Sequence, residues 1–265
     1  MKKQVITKGL LDFERKFARI YEIHIHNPEN TVPGRGIYAA NHFHHLDPAF
    51  ILYAIAKHRN VLPRQLAKPS LFRFPFIRKA LKRYKAIMTP RPSRGEVFDF
   101  DDFDRMRDDI TSTLAEDDPI SFAYAAHMTD NFGTDDESHE AEKQHVHSGL
   151  LTLTRKIRGL RIIPVAVDTY EKRSGRVFFK AFLILSGLAR ILPRHKRCAV
   201  DVMFGESIDI DAFLATVNPE TGRKYTRNQL VERVVDVVFE MRRKLAHINK
   251  DNPERSPDKY KPPRK

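Results

Sequence analysis

Residues 29–48 read ENTVPGRGIYAANHFHHLDP, and the order of residue types within them sets the reading of the rest. The segment around 27–36, NPENTVPGRG, is rich in Asn, Pro and Gly, which supply turns. The run GIYAA that follows suits a short apolar strand, and it ends at Asn41-His42-Phe43-His44-His45-Leu46-Asp47-Pro48. An apolar helix is predicted from Pro48 to about His58.

Working outward, apolar β-like runs recur at 60–67, 86–89, 119–124, 160–168, 176–184 and 198–205, several of them separated by segments of helical periodicity. That alternation predicts an α/β sheet domain. Upstream, Leu10, Phe13, Phe17, Ile20 and Tyr21 fall at helical spacing among Lys and Arg, so 5–22 reads as an amphipathic helix that packs on the core or lies on lipid. Downstream, Thr226 is the predicted N-cap of a closing helix with Leu230, Val234, Val238 and Met241 on one face. Prolines 253, 257, 262 and 263 among charges predict a disordered tail at the end. No internal repeat is seen.

With 265 residues and 41% hydrophobic content, the chain can fill one large α/β core or two small ones. Its net charge of +13 favours anionic partners such as phosphates, nucleic acid or acidic lipid, although solubility alone also accounts for it. The longest strongly apolar stretch is Ala49 to Ala56, well short of the roughly 20 residues that span a bilayer, and the mean hydropathy is −0.49. Lys8, Asp12, Glu14 and Arg15 interrupt the N-terminal segment before any signal-like apolar core forms, so a cytosolic chain is expected. The single cysteine, Cys198, lies in CAVDVMFG and reads as a strand thiol rather than a nucleophile.

The cluster at 41–48 carries the chemistry. A histidine accepts and returns a proton at neutral pH, and a carboxylate against its other ring nitrogen fixes the tautomer and stabilises the imidazolium. His42 and Asp47, five residues apart across a strand-to-helix turn, can form such a pair. Asp followed by Pro is equally an ordinary helix cap. His42, His44 and Asp47 also offer nitrogen and oxygen ligands to a metal, but no second group of ligands at recognisable spacing completes a set, and His24 and His26 read equally well as surface residues.

On these residues the chain resembles the glycerol-3-phosphate and lysophosphatidic acid acyltransferase family, in which an Asn-His, four variable residues and an Asp follow a short apolar strand. Here those are Asn41, His42 and Asp47. The likeness continues through AKPSLFRFPFIRKALKRYKAIMTPR, where Lys68 ends a strand and Arg91 matches the family's second-motif arginine. RIIPVAV, with Pro164, and VDVMFGESIDI keep the family's order to about residue 245. The third motif departs: in place of Phe-Pro-Glu-Gly-Thr-Arg stands Phe122-Ala123-Tyr124-Ala125-Ala126-His127, without the acceptor-binding glutamate and glycine. An insert from Thr129 to His147, mixing acids with His139, His145 and His147, reads as a solvated loop.

The resemblance implies a single α/β domain over 1–249, a mixed and mostly parallel sheet of about seven strands flanked by helices, with a tail at 250–265. It implies transfer of an acyl group from an acyl-CoA or acyl-carrier-protein thioester to a lysophospholipid or glycerol-phosphate hydroxyl, with no cofactor and no metal. His42 is then the general base and Asp47 its orienting partner. Asn41, Arg91, Lys68, Tyr124 and His127 become substrate-binding candidates, Arg91 for phosphate because its planar fork matches two phosphate oxygens. Oxyanion donors are expected among the N–H groups that open the helix after Asp47. The aromatic and basic residues between 69 and 85 suit either peripheral contact with the inner face of the cell membrane or a core helix with a solvated basic face. The rival readings are a lipid-binding pseudoenzyme of the same fold and, last, nucleic-acid binding, for which no motif speaks.

Overall fold

The computed structural model describes residues 21–42, 46–90, 100–123, 139, 140, 143, 157–169 and 198–250. In chain order they form β1 (Tyr21–His26), β2 (Gly36–Ala40), α1 (Asp47–Arg59), β3 (Arg64–Ala67), α2 (Pro75–Arg83), β4 (Ile87–Met88), α3 (Phe100–Ala115), β5 (Ile120–Ala123), β6 (Arg161–Thr169), β7 (Cys198–Phe204), β8 (Ile208–Asp209), α4 (Ile210–Ala215) and α5 (Arg227–Lys250). One sheet joins the strands in the order β1-β7-β6-β2-β5-β3-β4, with β8 beside β6. Strands β6, β2, β5, β3 and β4 run the same way; β7 and β8 oppose β6, and β1 runs with β7. The mixed, mostly parallel sheet is therefore present, with eight strands where about seven are expected.

Helices cover both faces, which is why β2 reads as an unbroken apolar run and is buried along its whole length. Tyr38 and Ala40 of β2 join Ile163, Val165 and Val167 of β6 beneath Phe50, Ile51, Ala54 and Ile55 of α1. Ile37 and Ala39 point the other way, with Ile120 and Ile162, into a core closed by Ile110 and Leu114 of α3 and by Leu230, Val234, Val238, Met241 and Leu245 of α5. α1 ends as its sequence suggests, at Asn60 in the left-handed region with φ 55°. Thr226 caps α5 as predicted: its Oγ1 accepts from Gln229 N while Gln229 Oε1 accepts from Thr226 N, a reciprocal capping box.

Gly34 has φ 75°, and a Cβ there would lie 2.6 Å from an Asp117 carboxylate oxygen. That carboxylate accepts from Arg35 N at 2.8 Å and so ties the turn before β2 to the loop before β5. Only glycine meets both demands.

The start of the chain reads differently in the structure. Tyr21, predicted as the last apolar residue of a helix, opens β1 instead. Tyr21, Ile23 and Ile25 alternate toward the α1 side, and Tyr21 meets the Phe50 ring edge-on at 5.1 Å. The strand pairs in parallel with β7, from Tyr21 beside Cys198 to His26 beside Met203, a partner too distant in sequence for a local pattern to reveal. Residues 5–20 and the run at 176–184 lie outside the described residues, as does the tail beyond Lys250. Part of the acidic and histidine-rich insert is docked rather than solvated: His139 stacks on Phe239 at 4.3 Å, and His139 Nε2 and Lys143 Nζ lie 2.9 and 2.8 Å from Asp236 Oδ1. This contact with the Asp236 carboxylate raises the Lys143 pKa.

Candidate active site

Parallel strands present their carboxyl ends along one edge, and in open α/β sheets ligands bind where the chain departs to opposite sides of a central strand. β2 is that strand. The chain leaves it through α1 toward β3, beyond β5 on one side, whereas β6 lies on the other. Asn41 and His42 stand at the carboxyl end of β2, Thr169 at that of β6 and Lys68 just past that of β3.

Asn41 is fully buried, and its side chain acts as one more peptide unit of the sheet. Nδ2 donates to the Val167 carbonyl and Oδ1 accepts from the Val167 N–H, both at 2.8 Å. Only one orientation of the amide satisfies both bonds. This substrate-binding candidate thus faces β6 and fixes the point where β2 stops and His42 begins.

His42 Nδ1 lies 3.6 Å from Asp47 Oδ2, with 19% of the histidine side chain and 2% of the aspartate side chain exposed. That separation is within ion-pair range but beyond a formed hydrogen bond, and among the described residues the buried Nδ1 has no other partner. Catalytic hydrogen bonds are often long in unliganded enzymes and tighten with substrate. The other carboxylate oxygen, Oδ1, accepts from Thr169 Oγ1 at 3.3 Å. Asp47 is accordingly held between β6 and the imidazole.

The cap position of α1 is Leu46, with no side-chain cap bond, and Asp47 is the first helical residue. Among the described residues no three His, Cys, Asp or Glu side chains gather closely enough to hold a metal ion, and His44 lies outside them.

The oxyanion donors expected at the start of α1 are largely consumed. Pro48 has no N–H, and the N–H groups of Ala49 and Phe50 donate to the Leu46 carbonyl at 2.8 and 3.1 Å. Lys68 is exposed in extended backbone beside the 3-10 turn Pro69–Arg73. Arg91, Tyr124 and His127 lie outside the described residues; Arg91 follows β4 by three positions and Tyr124 directly follows β5. Thr169 is the site residue that the sequence reading missed. It falls one position past the apolar run predicted at 160–168, and only the β2–β6 pairing brings it to Asp47.

Set beside known proteins, this arrangement is that of an acyltransferase-type α/β fold. The crystal structure of the 1-acyl-sn-glycerophosphate (LPA) acyltransferase PlsC from Thermotoga maritima resembles it with a TM-score of 0.58 over 92% of this chain and 81% of that one, at 15% identity, a likeness of fold. No curated protein matches the chain by sequence. The model of the family described as Acyltransferase matches residues 22–168, from β1 through the carboxyl end of β6, and the chain belongs to that family. Among the described residues no helix is long and apolar enough to cross a membrane.

Proposed function

We propose that the chain transfers a fatty acyl group from an acyl-CoA or acyl-carrier-protein thioester to the hydroxyl of a lysophospholipid or a glycerol phosphate. The observation that carries this reading is the buried Asp47 carboxylate 3.6 Å from His42 Nδ1 at the carboxyl end of β2, in a chain of the acyltransferase family. His42 takes the hydroxyl proton on Nε2, which has no partner among the described residues. The oxygen attacks the thioester carbonyl carbon, the carbon–sulfur bond breaks, and the proton passes to the departing sulfur. Asp47, braced by Thr169, holds the ring and stabilises its positive form. Asn41 positions His42 through β6. Arg91 and Lys68 bind the acceptor phosphate, and Tyr124 and His127 stand where the family's third motif has its glutamate and its arginine. The step needs no metal or cofactor beyond the thioester itself. Residues 1–249 form the acyltransferase domain, the basic tail at 250–265 lies outside it, and the protein is peripheral on the inner face of the cell membrane.

The altered segment from Phe122 to His127 supports a second reading, a lipid-binding protein of the same fold without turnover. One assay separates the two. Purified protein is given acyl-CoA with lysophosphatidic acid or glycerol-3-phosphate, and free thiol is followed. Turnover that falls by about 10²- to 10⁴-fold in His42→Ala supports transfer. Liposome binding without thiol release supports the second reading, and undiminished turnover in His42→Ala removes the proposed base.

A further inference from the structure

Charge along this chain is unevenly placed. Between Asp47 and Glu96 there is no Asp or Glu, yet 12 of the 47 Lys and Arg residues fall there, which leaves the rest of the chain close to neutral. Six of the twelve, from Arg73 to Lys85, follow β3 at the edge of the sheet, in the 3-10 turn Pro69–Arg73, in α2 and in the turn before β4. Arg78, Lys79 and Lys82 share one exposed face of α2, and Arg73 and Lys85 are exposed on either side of the helix. Among the described residues none of these five has a carboxylate within ion-pair distance.

Large apolar side chains stand among these cations: Phe74 is 48% exposed, Met88 40% and Leu71 37%. Met88 pairs with Ala67 in the sheet, and the turn that carries Leu71 leaves from the next residue, so the patch starts at one place. A single exposed hydrophobe is ordinary. Three of them lie in the same short segment as these cations, and among the described residues the like charges one turn apart on α2 have no carboxylate to offset their repulsion. Apolar side chains flanked by Lys and Arg are the composition of a segment that lies in a lipid interface.

We infer that Leu71, Phe74 and Met88, with Arg73, Arg78, Lys79 and Lys82, form a docking surface for an anionic bilayer, the apolar side chains entering the acyl boundary and the cations meeting the headgroups. This rests on the reading of the His42 site as one that acylates a lipid. In the sheet order β3 and β4 stand two and three strands from β2, which places their carboxyl ends about 10 and 15 Å along the edge. A lysolipid leaving the bilayer at this surface reaches His42 without crossing the molecule.

The chain has no tryptophan, so Phe74→Trp supplies a single fluorescent reporter. The full chain is floated with vesicles of phosphatidylcholine alone and with phosphatidylglycerol added. Binding and a blue-shifted emission with the anionic vesicles only are expected. Replacing Arg78, Lys79 and Lys82 by Gln weakens partition about 100-fold, at about fivefold per charge, and Leu71→Ser with Phe74→Ser weakens it at least about tenfold. Equal binding to neutral vesicles, an unshifted emission, variants that float like the wild type, or capture of an acidic carrier protein without vesicle binding would each overturn the inference. His42→Ala floats like the wild type, whereas loss of docking leaves turnover of soluble short-chain substrates intact. Failure of the surface and failure of the active-site reading therefore give different results.

Discussion

Asn41 and Val167 bond in both directions, the side-chain amide of one to the backbone N–H and carbonyl of the other, each at 2.8 Å. The pair locks the end of β2 to β6 one residue before His42. Asn41→Ala leaves both Val167 groups buried and unpaired, so a loss of about 2–4 kcal/mol in stability is expected. Urea denaturation measures this, and a fall in turnover larger than the unfolded fraction explains would show that the bond also positions the imidazole.

Thr169 braces Asp47 rather than touching the reacting atoms. Thr169→Val keeps the shape and removes the 3.3 Å bond to Oδ1. About 1 kcal/mol, or about fivefold in kcat, is the expected loss, with KM unchanged. Thr169→Ser restores the rate if the hydroxyl is what matters. A change confined to KM would show that Thr169 meets substrate instead.

Burial pushes the Tyr38 phenol up to about 12, against a smaller opposing effect of the Arg59 charge. The unfolded chain releases this proton near 10. Between these values the unfolded state has lost a proton that the folded state keeps, so stability is full below pH 10 and falls as pH rises toward 12. About two pKa units correspond to roughly 2–3 kcal/mol. Urea midpoints at pH 9 and pH 11.5, compared between the wild type and Tyr38→Phe, isolate this contribution; equal pH dependence in the two proteins would remove it.

At Gly34 two penalties coincide, φ of 75° and the 2.6 Å approach to Asp117. Gly34→Ala is expected to cost about 1–3 kcal/mol. Adding Asp117→Ala relieves the clash but not the backbone, so the double variant should recover only part of the loss in thermal melting.

What the sequence made legible is what neighbouring residues determine together. GIYAA and the helix after Pro48 are local patterns, and both appear within a residue of their predicted limits. Thr226 announces α5 because a cap and its partner lie three positions apart. β1 did not show itself. Tyr21 continues a helical stripe as readily as it starts the alternation Tyr21, Ile23, Ile25, and only β7 decides between them. In the site, His42 and Asp47 were visible as close neighbours in sequence, whereas Asn41 with Val167 and Thr169 with Asp47 are joined by the β2–β6 register, which no single stretch encodes.

The placement of β1 bears on how the molecule assembles. Its strand partner is β7, and the His26 and Asp201 side chains that meet across that pair are 175 residues apart. On a ribosome the first described strand emerges long before its partner has been made. Until then its N–H and C=O groups lack the β7 ladder, and Tyr21 leans on Phe50 of helix α1. Closure of this edge is a late, high-contact-order event, and a nascent chain halted before residue 198 would present an open strand to chaperones or to a second copy of itself.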